Sequence, residues 1–171
     1  DAGSTISQII TITENDSTPV VTLATSATSI AENAGSSLTL TATLSNATTE
    51  DVTVALSTSG TGTEGTDYST ISDITISAGA TTGTASFTPT DDSVYEGNET
   101  GIVAIDSVSG GSANESGTPQ SVTITITENE SAPTVTLTSS ASSIAENAGS
   151  SLTLTATLSV ATTADVTVGI S

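Results

Sequence analysis

A repeat of 114 residues limits what this chain can fold into more than any other feature. The segment 29–45 recurs unchanged at 143–159, so that Ile30 returns as Ile144. The ends follow the same period, because the segment 12–15 returns unchanged as 126–129. The sequence therefore predicts part of a tandem array: the end of one unit at 1–17, a complete unit at 18–131, and the beginning of another at 132–171. Such arrays usually provide length, display or multivalency rather than chemistry.

The charge of the chain has one sign. Nineteen Asp and Glu residues are present with no Lys, Arg or His, so no carboxylate can form a side-chain salt bridge within the chain. The counter-charge must come from metal ions, solvent ions or another molecule. Nucleic acid is a very poor partner, because phosphate contacts depend heavily on Lys and Arg, and an acidic membrane surface is equally unsuitable.

The composition also bears on location. Cys and Met are absent, which removes the usual oxidation targets, and the absence of Lys and Arg removes trypsin-like cleavage sites. No apolar run of about 20 residues is present, so no membrane insertion is expected in this part of the chain. These traits favour an exposed protein, extracellular and at the cell surface; a biased acidic protein of the cytosol is the alternative.

Apolar residues alternate with Thr throughout the complete unit, as in Leu38 to Leu44 and Val122 to Ile126. A period of two with β-branched residues is typical of half-buried strands. Turn residues separate strands predicted at 20–25, 37–45, 51–58, 73–77, 82–88, 100–108 and 120–127, with a short piece near 28–31. This pattern predicts an all-β fold of tandem antiparallel Greek-key, immunoglobulin-like sandwiches. The rings of Tyr68, Phe87 and Tyr95 are predicted to pack in the core.

The carboxylates concentrate in loops and at strand ends. In a sandwich, alternate loops gather at one end, so we expect eight carboxylates to converge there: Glu32, Asp67, Asp91, Asp92, Glu96, Glu99, Glu128 and Glu130. Calcium accepts six to eight oxygen ligands in a flexible geometry, whereas zinc would require His or Cys. A solvated acidic loop is the alternative. Ordinary solvated charges are predicted elsewhere, at Glu50, Asp51, Glu64, Asp73, Asp106, Glu115 and Asp165.

Four segments of the complete unit resemble, in order and spacing, the Calx-beta domain of sodium–calcium exchangers and large bacterial surface proteins. They are 29–35, 65–68, 91–99 and 124–130. The resemblance implies calcium (Ca²⁺) binding at the C-terminal end of the sandwich by the eight carboxylates named above. Two departures from the family pattern are Ser93, where a third Asp is common, and Glu128-Asn129-Glu130, where Asp-Asn-Asp is common. The preceding unit offers Glu14 and Asp16 at the matching positions, and the following unit offers Glu146.

Catalysis is not expected, because the chain has no His, Cys or Lys, and a Ser or Thr nucleophile would therefore lack any usual base. The repeat and the resemblance together predict a calcium-rigidified spacer or stalk of a giant secreted bacterial surface adhesin or filament. The short linker 128–134, stiffened by Pro133, favours a joint fixed by metal. Its partners would be neighbouring modules, with the adhesion target bound elsewhere. The alternative is a calcium-sensing regulatory module, and a carbohydrate-binding module ranks third.

Overall fold

In the computed structural model, residues 7–117 and 120–171 are described. The described residues of the complete unit form ten strands: β1 Val20–Thr25, β2 Ser29–Ala31, β3 Leu38–Leu44, β4 Val52–Gly60, β5 Ile74–Ile76, β6 Thr82–Phe87, β7 Val94–Tyr95, β8 Glu99–Ser109, β9 Asn114–Glu115 and β10 Ser121–Thr127. Every strand predicted in this unit is present, and the predicted all-β sandwich is confirmed. Two short strands, β7 and β9, were not predicted. In the described residues no helix is long and apolar enough to cross a membrane.

Two sheets form the sandwich. One has the strand order β6-β3-β1-β9, and the other has the order β2-β10-β8-β4-β5. The first strand of the unit is divided between them: β1 pairs antiparallel with β3, whereas β2 crosses to the other sheet and pairs parallel with β10. Because β2 and β10 are parallel, the residues that follow both strands leave the sheet at the same end.

The core lies between the sheets and is built from the alternating apolar residues. Leu40, Val54, Ile74 and Ile124 are fully buried, while the intervening Thr residues face outward or lie at the margins. Their burial provides most of the driving force for folding, since the chain has no disulfide bond and no salt bridge. The alternation in the sequence therefore translates directly into the two inner faces of the sandwich.

Two of the three rings are stacked in the core. The ring centroids of Tyr68 and Phe87 are 4.6 Å apart with an interplanar angle of 22°, and both side chains are buried. Gly101 provides the room for this stack, because a Cβ atom there would lie 2.7 Å from a ring carbon of Phe87. The prediction that Tyr95 belongs to the core is wrong: it is half-buried in β7, which lies outside both sheets of the sandwich.

The following unit begins with the same pairing as the complete unit. Strands β11 Val135–Ser139 and β12 Leu154–Leu158 are antiparallel, with Val135 opposite Leu158. This pair is Val21 opposite Leu44 moved by one period. The repeat in sequence is thus also a repeat in strand register. Leu137 is 51 % exposed whereas its counterpart Leu23 is 7 % exposed, because the strands that would face it are not among those of segment 132–171.

Some strands expected outside the complete unit are not formed. The final strand expected in segment 1–17 is absent from its described part, 7–17, where Ile9, Ile10 and Ile12 are exposed. In segment 132–171 four strands were expected, and the third strand described there is a different one, β13 Ala161–Thr162. The strand expected in segment 1–17 corresponds to β10, which pairs with β2 and β8 in the complete unit. The strands expected but not formed in segment 132–171 correspond to β2 and β4, which pair with β10 and β8. In each segment the described residues provide none of these partners. The unit boundaries themselves remain predictions.

Candidate metal centre

The parallel pairing of β2 and β10 brings the first two carboxylates together. Ala31 lies opposite Thr127, and the next residues along the two strands are Glu32 and Glu128. The backbone N–H of Glu32 continues the ladder by donating to the carbonyl oxygen of Thr127 at 3.0 Å. A split first strand, rather than a local motif, therefore places residues 96 positions apart side by side.

The first cluster consists of Glu32, Glu128 and Glu130. One carboxylate oxygen of each lies within 4.8 Å of the other two. Glu32 is the most buried acid, at 8 % exposure. Burial, together with the charges of Glu128, Glu130 and Asp92, raises the pKa of Glu32 to about 7, although a hydrogen bond from the backbone of Asp92 opposes the shift. The carboxylates of this cluster therefore repel one another, and a proton or a bound cation would relieve the repulsion.

Glu128 differs from its neighbours because backbone N–H groups surround it. Its Oε2 accepts hydrogen bonds from Glu96 N at 2.7 Å and Gly97 N at 2.8 Å. Its Oε1 accepts from Asn129 N and Glu130 N, each at 2.9 Å. Burial alone would raise the pKa of Glu128, but these donors lower it to about 2. Glu128 is therefore ionised, and its hydrogen bonds join the segment 91–99, called the acidic loop below, to the end of β10.

The second cluster consists of Asp67, Glu96 and Glu99, again with one oxygen of each within 4.8 Å of the other two. Burial and the charges of Asp67 and Glu96 raise the pKa of Glu99 to about 7. Burial and the charges of Asp67, Asp92 and Glu128 also raise the pKa of Glu96. Partial protonation or a bound cation would therefore stabilise Glu96 and Glu99 in this cluster.

Asp67 is fixed by its neighbour in the core. Tyr68 is 1 % exposed and stacks on Phe87. The Asp67 carboxylate accepts a hydrogen bond from Thr63 N at 2.6 Å, and its carbonyl oxygen accepts one from Thr90 N at 2.9 Å. The aromatic stack therefore positions the loop that carries the Asp67 ligand group.

Asp91 and Asp92 lie beside the two clusters and are exposed. Asp92 N donates to Glu32 Oε1 at 3.2 Å, and Asp92 Oδ1 accepts from Val94 N at 2.7 Å. The Asp91 charge contributes to the raised pKa of Glu130. Six of the eight predicted residues thus form two clusters, and the other two belong to the loop that connects them.

Glu14 and Asp16 are at a different place. They line a cavity of about 460 Å³ together with Asn46, Glu50 and Ser112. Glu14 Oε1 accepts from its neighbours Asn15 N and Asp16 N, each at 2.9 Å, and these bonds lower the pKa of Glu14. This local pattern repeats the one at Glu128.

Four of the acids predicted to be solvated also have structural partners. Glu64 accepts from Thr58 Oγ1 at 2.6 Å and from Ile71 N at 2.7 Å. Asp51 accepts from Ala78 N at 2.8 Å, Asp73 from Leu56 N at 3.1 Å, and Glu115 from Gln120 N. Asp51 and Asp73 are exposed, as expected of solvated charges, whereas Glu64 and Glu115 are half-buried. Each of the four compensates a backbone N–H at an irregular point of a strand or loop.

One further residue of the site was missed. Asn98 Oδ1 accepts a hydrogen bond from Glu128 N at 3.0 Å, so the acidic loop and the end of β10 are joined in both directions. Its position between Gly97 and Glu99 in the acidic loop is the signal that the sequence offers. An amide carries no charge, however, so a search for carboxylates does not find it.

The donor set fits a hard divalent cation. Among the described residues, Glu130 Oε2 is a buried side-chain oxygen with no hydrogen-bond partner. The pKa of Glu130 is raised, first by the hydrogen bond that its protonated form shares with Glu128 and then by burial and nearby charge. An oxygen-only donor set with an unsatisfied carboxylate suits calcium better than zinc, which prefers nitrogen and sulfur.

In a comparison with protein families, the family model described as Calx-beta domain matches residues 14–130. A search of curated proteins gave no match.

Similar solved structures also come from this type of domain. The apo form of the Calx CBD1 domain is 17 % identical with a TM-score of 0.53, and the match covers 65 % of this chain and 99 % of that one. CBD12 from CALX1.2 is 19 % identical with a TM-score of 0.50, covering 58 % of this chain and 41 % of that one. The calcium binding domain CBD12 of CALX1.1 is also 19 % identical with a TM-score of 0.50, covering 59 % and 41 %. At these identities the likeness shows the fold.

Proposed function

This chain belongs to the Calx-beta domain family, and we propose that it is a calcium-binding spacer module whose bound ions stiffen the joints of a repetitive surface protein. The observation that carries the proposal is the pair of three-carboxylate clusters, Glu32/Glu128/Glu130 and Asp67/Glu96/Glu99. They are linked through Glu128, which holds the backbone of Glu96. Calcium bound by these residues would supply the positive charge that the chain itself lacks.

The repeat supports a mechanical role. Residues 128–134 are the whole connection between β10 and the next unit, and they contain both Glu128 and Glu130. An ion held by these residues would fix the linker to Glu32 and to the acidic loop of the same unit. With the ion removed, repulsion among carboxylates would loosen the linker and the rod would bend more easily.

The wider context follows from the chemistry of the chain. An array of calcium-dependent joints works best where calcium is abundant, which favours an extracellular, cell-surface location. The absence of Lys, Arg, Cys and Met suits long exposure there. We assign the array to the stalk of a bacterial adhesin or filament, with neighbouring modules as partners and the adhesion target bound by other domains. The role is structural rather than catalytic.

A calcium-sensing regulatory role is the second candidate. The hydrogen bonds from Asp92 N to Glu32 and from Glu96 N and Gly97 N to Glu128 occupy the same carboxylates that would bind the ion. Ion binding would compete with these bonds and reshape the acidic loop, which is what a sensor requires. The identity of segments 29–45 and 143–159 favours the spacer role, since a sensor needs few copies.

Calcium titration of the metal-free chain tests the calcium site. Isothermal titration calorimetry and thermal unfolding should show saturable binding and a rise in Tm, with magnesium much weaker because it tolerates fewer protein ligands. The variant Glu32→Gln/Glu99→Gln, altered once in each cluster, should lose most of the binding, whereas Asp106→Asn, on the exposed end of β8, should not. If calcium produced neither a heat of binding nor a change of Tm, the proposal would be refuted.

A further inference from the structure

The acidic loop also contacts the next unit. Strand β13, Ala161–Thr162, pairs in parallel with β7, Val94–Tyr95, so that Ala161 lies opposite Val94 and Thr162 opposite Tyr95. Strand β13 belongs to the following unit, and β7 lies within the acidic loop of the complete unit. The next residue after β7 is Glu96, whose N–H is bound by Glu128. The contact is therefore made on the same loop that joins the two carboxylate clusters.

From this contact we infer that consecutive units dock through a short β-pairing in which the loop 160–164 of one unit lies on β7 of the unit before it. The inference rests on the tandem arrangement in the proposed function and names the partner of its acidic loop: a second copy of the module. The burial pattern agrees, because Val160 and Thr162 are half-buried while Ala161 and Thr163 are exposed. This alternation is that of a strand with one covered face.

The other joint provides a separate observation. By the 114-residue period, the loop 160–164 corresponds to 46–50, and Glu128 corresponds to Glu14. In the complete unit, Asn46 to Glu50 line the cavity of about 460 Å³ together with Glu14 and residues 16–19. At both joints, then, the same loop of a unit faces the end of the unit before it. A repeated geometry of this kind is expected of a heterologous, head-to-tail contact.

The two copies of this loop are not equivalent. Residues 45–51 read Ser-Asn-Ala-Thr-Thr-Glu-Asp, and residues 159–165 read Ser-Val-Ala-Thr-Thr-Ala-Asp. Docking places residues 160–164 beside the acidic loop, which contains Asp91, Asp92 and Glu96. Glu50 would add a like charge there, whereas Ala164 does not, and Val160 adds apolar surface where Asn46 is polar. Successive joints are thereby given different strengths by two positions of one loop.

Cysteine trapping in the full chain tests the contact, because the chain has no cysteine of its own. Val94→Cys/Ala161→Cys should form an intramolecular disulfide under oxidised glutathione at least about tenfold faster than a control pair at similar tethering. The control is Val94→Cys/Ser151→Cys. Ser37, the counterpart of Ser151, bonds Thr88 at 2.7 Å next to the acidic run, so Ser151 lies at the far end of its own unit. Equal rates for the two pairs would overturn the inference.

A second variant tests the role of the loop sequence. Adding Val160→Asn and Ala164→Glu to the trapping pair gives residues 159–165 the sequence of 45–51 except for the trapping cysteine at 161, and the disulfide should then form several-fold more slowly. An unchanged rate would remove the claim that these positions set the strength of the joint. The rates are measured with calcium and with chelator. Calcium binding without selective trapping refutes the docking alone, and selective trapping without calcium binding refutes the calcium site alone.

Discussion

The carboxylate of Glu128 accepts a 2.8 Å hydrogen bond from the backbone N–H of Gly97, which lies 31 residues earlier in the chain. Together with the bond from Glu96 N, it closes the acidic loop onto the end of β10. We expect Glu128→Gln to weaken this closure, because the amide has one acceptor oxygen where the carboxylate has two. The free energy of unfolding of the metal-free chain should fall by about 1 kcal/mol.

Chemical denaturation in chelator measures this change, with Asp106→Asn as the control for the loss of one negative charge. Relief of charge repulsion alone would make Glu128→Gln more stable. That result would contradict the view that Glu128 stabilises the chain by joining the acidic loop to β10. Calcium titration of the same variant adds a second readout, since loosening of the acidic loop should also lower calcium affinity.

The stability of the metal-free chain should depend on pH in an unusual direction. The pKa values of Glu32 and Glu99 are raised to about 7, and those of Glu96 and Glu130 are also raised. Between their ordinary pKa and about pH 7 the folded chain therefore binds more protons than the unfolded chain, and stability must fall as the pH rises through this window. Glu128, with its pKa lowered to about 2, acts in the opposite direction only at much lower pH.

Thermal unfolding in EDTA between about pH 5 and about pH 8 checks this dependence: Tm should be higher at the acidic end. Saturating calcium should reverse the trend, because the ion requires deprotonated carboxylates. The double variant Glu32→Gln/Glu99→Gln, which removes both groups with pKa near 7, should flatten the profile of the metal-free chain. A Tm that rises with pH in EDTA would contradict the prediction.

The strands were predictable because burial and sequence share one period. Leu40 and Ala42 are buried and the intervening Thr41 is not, so alternation alone locates β3. The short strands β7 and β9 have two residues each, and alternation cannot be recognised over so few positions. Tyr95 was placed in the core on hydrophobicity, although its strand pairs with the next unit instead.

The convergence of acids was predictable from topology, but the role of each acid was not. Glu64 and Glu128 are the same residue type in loops of similar polarity. Glu64 accepts hydrogen bonds from Thr58, at the end of β4, and from Ile71, both within seven residues, whereas Glu128 accepts one from Glu96 on a distant loop. Which backbone N–H a carboxylate meets depends on the crossing of β2 between the sheets, and no local sequence pattern encodes that.

Gly101 should be needed for both stability and metal binding. Gly101→Ala would place a Cβ atom 2.7 Å from Phe87, whose ring stacks on Tyr68 beside Asp67. We expect the free energy of unfolding to fall by about 1–3 kcal/mol because the stack must shift, and the second carboxylate cluster to bind calcium less tightly. Gly169→Ala is the matched control, since no atom lies within 4 Å of that site and the complete unit has Ala55 there. Equal Tm values for the two variants would refute the packing role.

Glu130 should respond to substitution in the opposite way from Glu128. Its Oε2 is buried without a hydrogen-bond partner, and repulsion from Glu128 and Asp91 helps raise its pKa. Glu130→Gln removes that repulsion, so the metal-free chain should unfold at an equal or higher temperature. The same change removes a carboxylate oxygen that would bind the cation, and calcium affinity should fall about tenfold. Calorimetric titration and unfolding in chelator separate the two effects. A variant less stable without metal but unchanged in calcium affinity would make Glu130 a structural residue and place the ion elsewhere.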